Sequence, residues 1–238
     1  MAAKHTYTEH LNRRISIGKK AFLSGKYGLD SIMLDVANTY QPQNGVASTK
    51  YFGFVKALAA YNDAFILLYK KSNLYGAMAM NRILMEHLIY LYADYLYPKA
   101  DIINKVYNEG KELNQIRVNG EKIKPSEVRS RLYERYGWCE TVWQRYHLYI
   151  HPSVNTGSVE LEIQPIEGDK RGAKAVTVHS VDYLTLSKAI SDIVKINNAI
   201  LYTFRDIRDG RIKVLKENGL IKAYIESYYT CRGGRKRK

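Results

Sequence analysis

LYGAMAMNRILMEHLIYLYADYLY, residues 74–97, is the most hydrophobic segment of the chain and sets its fold class. It is long enough to span a bilayer, but Arg82, Glu86, His87 and Asp94 interrupt it. Each charged side chain near a bilayer centre costs roughly 2.5–3.5 kcal/mol. The segment is therefore predicted to be the central helix of a bundle, apolar nearly all round and buried by protein, without membrane association.

The flanking sequence predicts more helices. Ser48 or Thr49 can cap a helix that runs to about residue 71, Ser72 or Asn73 can cap the central helix, and Pro98 ends it. Apolar residues recur at helical spacing through most of the chain. The fold class is therefore mainly α, a helical bundle, with further helices expected at about residues 8–23, 30–39, 101–113, 126–137, 140–150, 182–205 and 211–229.

Two segments are predicted to form β-hairpins. Asn119-Gly120 between short alternating runs predicts a small one, with a plain loop as the alternative. SVELEIQPI and AKAVTVHS alternate at period two around EGDKRG, which predicts an inserted hairpin at about residues 158–180. We expect one helical-bundle domain over residues 1–229 and a disordered basic tail over 230–238.

The charge balance points to anionic partners. The 238 residues carry a formal net charge of +14, and nucleic acid leads the partners that such a charge favours. A basic surface that serves only solubility is the alternative. In the tail, the cations that could lie along phosphates are Arg232, Arg235, Lys236, Arg237 and Lys238. Two isolated cysteines and an N-terminus without an apolar signal segment favour a cytoplasmic protein.

RYHLYIHPS, residues 145–153, carries the residues best suited to chemistry. Proline disfavours helix at the preceding residue, so a helix should end at His151, before Pro152. The free carbonyls at a helix end stabilise a protonated imidazole, and a histidine that titrates near neutrality suits proton transfer. His147 lies one turn earlier, and Arg145 could hold a phosphate.

The central helix adds a second polar pair. Arg82 and Glu86 are four residues apart and therefore neighbours on one helical face. The structural interpretation is an internal ion pair that fixes helix register. The functional interpretation is that the pair faces the helix of Arg145 and His151 and supports both residues.

An R-x-x-x-E pair on an apolar helix, followed by Y-x-x-x-x-H-P-S and a hairpin, resembles a divergent group of the HEPN superfamily over residues 50–204. This resemblance implies a helical bundle of microbial defence or toxin systems, in which Arg and His meet across a homodimer as a metal-independent ribonuclease. Arg145 would then clamp the scissile phosphate and His151 would act as acid and base, without a cofactor. Tyr146 stands where the superfamily usually has Asn, Asp or His.

Other functional interpretations are also compatible with the sequence. His147 and His151 could bind a divalent metal from one helical face, although no carboxylate or cysteine lies at ligand spacing beside them. No Walker loop, GxGxxG, HExxH or GxSxG motif is present. The leading hypothesis is an RNA-binding protein, with or without ribonuclease activity. A non-catalytic nucleic-acid-binding protein and a partner-binding scaffold are the alternatives.

Overall fold

The computed structural model describes residues 49–71, 73–147, 161–165, 173–177 and 183–231, and these form a mainly helical bundle with an inserted hairpin, as predicted. The helices are α1 (Phe52–Lys70), α2 (Leu74–Leu96), α3 (Ile102–Tyr107), α4 (Pro125–Arg135), α5 (Trp138–His147), α6 (Tyr183–Glu217) and α7 (Ile221–Cys231). The strands are β1 (Arg117–Val118), β2 (Glu121–Lys122), β3 (Leu161–Pro165) and β4 (Ala173–Thr177), and 3₁₀ turns cover Thr49–Tyr51 and Leu113–Gln115.

Helix α2 is the central helix of the bundle. The Asn73 side chain accepts a hydrogen bond from the Gly76 N–H at 2.9 Å and so caps its first turn. Its side chains pack against α1, α3, α4, α5 and α6, and residues such as Leu84, Leu88 and Leu91 are fully buried. A helix surrounded in this way can be apolar on every side, which explains its composition.

One buried carboxylate joins the ends of three elements. Asp94, near the C-terminus of α2, accepts hydrogen bonds from the Tyr51 hydroxyl at 2.7 Å and from the Ile102 N–H at 3.0 Å. It also forms an ion pair with Lys50 at 3.0 Å. The carboxylate therefore satisfies a free N–H of the first turn of α3 and ties that turn to the residues before α1.

Both predicted hairpins are present. β1 and β2 are antiparallel, with Arg117 opposite Lys122, and the two turn residues Asn119 and Gly120 have φ of 51° and 88°. Positive φ at both positions defines the two-residue turn that Asn-Gly favours. In the inserted hairpin, β3 and β4 are antiparallel from Leu161↔Thr177 to Pro165↔Ala173.

Some predicted helix bounds were wrong. The helix expected at 101–113 ends at Tyr107, because the chain turns at Gly110, whose φ is 66°. The two helices expected at 182–205 and 211–229 divide elsewhere, since α6 continues through Gly210 to Glu217. The helices expected at 8–23 and 30–39 lie outside the described residues.

By length and composition, one described helix could cross a membrane, and it is α1 rather than α2. Its mean hydropathy over the best window is 1.2 and only 28% of that window is buried. Phe52 and Leu67 are its exposed large apolar side chains. Core helices of globular proteins pass the same test of length and composition.

Candidate functional site

The Arg82–Glu86 pair forms as the sequence predicts, and it faces the helix that carries Arg145. Arg82 is 3% exposed and its guanidinium lies 2.8 Å from Glu86, which keeps 37% of its side chain exposed. Burial lowers the pKa of Arg82, and the Glu86 carboxylate opposes this shift. The guanidinium carbon lies 3.3 Å from the centre of the Trp143 ring, on α5, which is a close cation–π contact.

Trp143 brings further polar residues to the same place. The Arg129 guanidinium lies 5.0 Å from its ring centre, and the His147 ring stacks at 6.3 Å between centroids. His147 follows Trp143 by one helical turn, which explains the stacking. The exposed His147 side chain therefore has a fixed neighbour on the α5 surface.

Arg145 is held by a carboxylate from the long C-terminal helix. Its guanidinium forms an ion pair and hydrogen bond with Asp192 on α6, a residue that is 2% exposed. The hydroxyl of Tyr146 donates to the same carboxylate at 2.7 Å. Lys195, one turn further along α6, places its amine 3.8 Å from the other carboxylate oxygen. Two cations thus share one buried anion.

Asn81 completes the connection between α2, α5 and α6. Its side-chain amide donates to the Ala189 carbonyl on α6 at 2.9 Å, and the same side chain lies near the Tyr146 hydroxyl. Asn81 and Tyr146 are both fully buried, so the bond from Asn81 to Ala189 and the bond from Tyr146 to Asp192 satisfy donors that water cannot reach. The C-terminal end of α5 is therefore fixed by contacts on two sides.

The electrostatics leave this region positive. This region holds four cations, Arg82, Arg129, Arg145 and Lys195, and three carboxylates, Glu86, Glu112 and Asp192, which leaves one positive charge in excess. Burial alone would lower the pKa of Arg145, but Asp192 and Tyr146 outweigh it and raise the pKa. Arg145 keeps 30% of its side chain exposed. A cation that is oriented, permanently charged and still accessible is suited to an anionic ligand.

Burial raises the pKa of the Tyr146 phenol, and the Asp192 carboxylate raises it further. The hydroxyl therefore keeps its proton and acts as a hydrogen-bond donor. Tyr146 is therefore a buried phenol that orients the carboxylate bound to Arg145. Tyr146 is thus a positioning residue for Arg145.

The structure brings Arg82, Glu86, Arg145, Tyr146 and His147 to helices α2 and α5. His151 and Pro152 lie outside the described residues, as do the tail cations Arg232, Arg235, Lys236, Arg237 and Lys238. Sequence reasoning missed Asp192, Asn81 and Trp143. Asp192 left a signal, because it is an acidic residue among the apolar positions Ala189, Ile196 and Ala199, on the face that α6 buries.

Across the described ranges, no group of three or more His, Cys, Asp or Glu side chains could hold a metal ion. Cys139 is buried, and burial raises the pKa of its thiol to about 12, so it is not a reactive nucleophile at neutral pH. Neither a protein-family model, nor a curated protein, nor a solved structure matches the chain.

Proposed function

We propose that this protein is an RNA-binding, HEPN-like homodimer that cleaves RNA without a metal, in a defence or toxin system. The observation that carries the proposal is that Arg145 and Lys195 share one buried carboxylate, which leaves net positive charge where α5 meets α6, and α5 is also the helix that carries His147. Phosphate is the anion that such an arrangement suits best in a protein of net charge +14.

The chemistry requires a base, an acid and a cation. Attack of the RNA 2′-hydroxyl on the adjacent phosphorus forms a cyclic phosphate and releases the 5′-oxygen of the next nucleotide. One imidazole takes the proton from the 2′-hydroxyl, and an imidazolium returns one to the leaving oxygen. An arginine stabilises the charge that builds on the phosphate oxygens. In a homodimer, two copies of Arg145 and His151 could divide these roles.

A second candidate is non-catalytic nucleic-acid binding. Asp192 offsets one charge at Arg145 and occupies part of its donor set, which suits a residue that holds the fold together as much as one that clamps a phosphate. In that case affinity comes from lysine and arginine side chains on the surface and falls steeply with salt, and His151 does not contribute.

The test is a cleavage assay on labelled single-stranded RNA in EDTA, with wild type, His151→Ala and Arg145→Lys. We expect cleavage by the wild type alone, because lysine keeps the charge of Arg145 but loses the planar donor pair. Arg131→Lys is the matched control, since the Arg131 side chain is exposed on α4 and forms an ion pair with Glu127 one turn away. Circular dichroism shows whether each variant is folded.

Wild-type RNA binding without cleavage, unchanged in His151→Ala, would favour the non-catalytic candidate. If the wild type neither binds nor cleaves RNA at low salt, both candidates are wrong. Cleavage that persists in folded His151→Ala would remove His151 from the mechanism and leave RNA cleavage itself standing.

A further inference from the structure

A cavity of about 210 Å³ opens beside Trp143, between α2, the turn at Leu113–Gln115 and the first turns of α4. We call it the Trp143 pocket. A cavity of about 150 Å³ accommodates a benzene ring, and drug-sized ligands need about 300 Å³ or more. The volume therefore suits one fused ring system of purine size.

The walls of the Trp143 pocket combine flat apolar surface with a few polar groups. Trp143, Tyr90 and Leu113 supply aromatic and aliphatic surface. Glu86 and Glu112 supply carboxylates, and Arg129 supplies a guanidinium. This composition is typical of a binding site for a planar molecule that is oriented by hydrogen bonds at its edge.

The charges around the Trp143 pocket nearly cancel. Its lining contains the carboxylates of Glu86 and Glu112 and the guanidinium of Arg129, and Glu86 is paired with Arg82. Burial raises the pKa of Tyr90, and Glu86 and Glu112 raise it further, which indicates that both carboxylates lie near the phenol. A balanced set of charges favours a neutral ligand with both donors and acceptors over a free phosphate or a metal ion.

Glu86 and the turn that carries Glu112 are held in place before any ligand arrives. Glu86 is held by Arg82, and Arg82 lies flat against Trp143. The backbone N–H of Glu112 donates to the Gln115 side-chain oxygen at 3.0 Å, which fixes the chain at the turn. Groups that are ordered in advance reduce the entropy that binding costs.

We infer that the Trp143 pocket binds an unstacked guanine base of the RNA, an inference that rests on the proposed function. Guanine presents two neighbouring N–H donors on its pairing edge, which a glutamate accepts, and its O6 and N7 accept from an arginine. Bases of single-stranded RNA are commonly recognised in this way, stacked on aromatic rings and bonded along an edge.

The first experiment measures binding of free nucleosides to the full chain by calorimetry. Guanosine is expected to bind. Inosine lacks the 2-amino donor and should bind at least about tenfold more weakly, since one hydrogen bond to a charged group is lost. Adenosine and cytidine should bind weakest. Nucleosides carry no phosphate, so the basic surface does not contribute to this signal.

Variants then locate the site. Arg129→Gln and Glu112→Gln should each weaken guanosine binding by roughly tenfold or more. Arg131→Gln and Glu121→Gln are the matched controls, because they remove the same charges from exposed positions outside the pocket lining. Both controls should bind guanosine like the wild type. Thermal unfolding of all four variants shows whether the fold is kept.

The second experiment compares an RNA oligonucleotide that contains one guanine with the same RNA carrying adenine there. Preference for guanine that is lost in Arg129→Gln but kept in Arg131→Gln supports the inference. RNA binding without base preference overturns the inference and leaves the proposed function standing. If guanosine binds but the protein does not bind RNA, the pocket still recognises guanine and the proposed function is wrong. If guanosine does not bind and no preference is seen, the inference is wrong.

Discussion

The buried polar residues of α2 show what single side chains contribute. His87 is 7% exposed and its ring lies among three aromatic rings, those of Phe54, Tyr61 and Tyr107, with centroids 5.1–5.7 Å away. Its Nδ1 is hydrogen-bonded to the Ile83 carbonyl at 3.0 Å, so this nitrogen carries the proton of a neutral ring. No anion among the described residues stabilises a second proton, and burial lowers the pKa of His87 to about 4.

This pKa predicts how stability depends on pH. Since the pKa of His87 is about 4 in the folded protein and 6.5 in the unfolded chain, the unfolded chain binds the extra proton between these values. Stability is therefore complete above pH 6.5 and falls as the pH drops toward 4. Between pH 7 and pH 5 this loss is about 2 kcal/mol. Urea unfolding at pH 7 and pH 5 measures the loss of stability in each protein. The loss in the wild type should exceed the loss in His87→Phe by about 2 kcal/mol. Equal losses in both proteins would contradict the prediction.

Asp192 is expected to stabilise the fold as well as to orient Arg145. In Asp192→Asn the ion pair with Arg145 is lost and the Tyr146 hydroxyl meets a weaker acceptor, both inside the protein. We expect a loss of about 2 kcal/mol in the free energy of unfolding, measured by urea titration. Asp209→Asn is the control, because Asp209 is 62% exposed and pairs with the adjacent Arg208, and its loss should stay within about 0.5 kcal/mol. Equal losses would show that Asp192 has no special role.

At the scale of elements, local signals decided what could be predicted. Asn119-Gly120 specified its hairpin because the turn requires positive φ at two neighbouring residues. Asn73 and Pro98 bounded α2 because a cap and a proline act within one turn. The division of the C-terminal helices was missed, because a glycine inside a helix costs only about 1 kcal/mol. Phe204, Ile207 and Leu215 keep α6 packed on either side of Gly210.

Replacing two glycines of this region with alanine is expected to change the stability of the protein in opposite directions. Gly219 has φ of 70°, and the N–H groups of Gly219 and Leu220 donate to Lys216 and Leu215, which is a Schellman C-cap. Gly219→Ala should destabilise the protein by about 1 kcal/mol. Gly210 lies inside α6 with open space where a Cβ would stand, so Gly210→Ala should stabilise by about 0.5–1 kcal/mol. Thermal unfolding shows whether each variant gains or loses stability. Shifts of both melting temperatures in the same direction would contradict the explanation that α6 ends at Gly219 and not at Gly210.

At the scale of the whole molecule, contacts between distant residues could not be predicted. The Arg82–Glu86 pair follows from i,i+4 spacing, but Asp192 is 47 residues from Arg145 and Asn62 is 135 residues from its buried partner Asn197. Nothing in one sequence specifies which helices meet. The sequence therefore predicted the residues of the candidate site on α2 and α5, whereas the residues on α6 became known only from the structure.

The net charge of +14 predicts how RNA affinity responds to salt, and the tail provides the means to test it. For single-stranded nucleic acid, the slope of log affinity against log salt is about −0.7 for each phosphate neutralised. Deleting residues 232–238 removes Arg232, Arg235, Lys236, Arg237 and Lys238. If all five lie along phosphates, the slope becomes shallower by about 3.5, measured by fluorescence anisotropy between 50 and 200 mM salt. A control that replaces the five residues with the same number of lysines should keep most of the slope, since the effect depends on charge. A slope unchanged by the deletion would place RNA binding on the helical bundle alone.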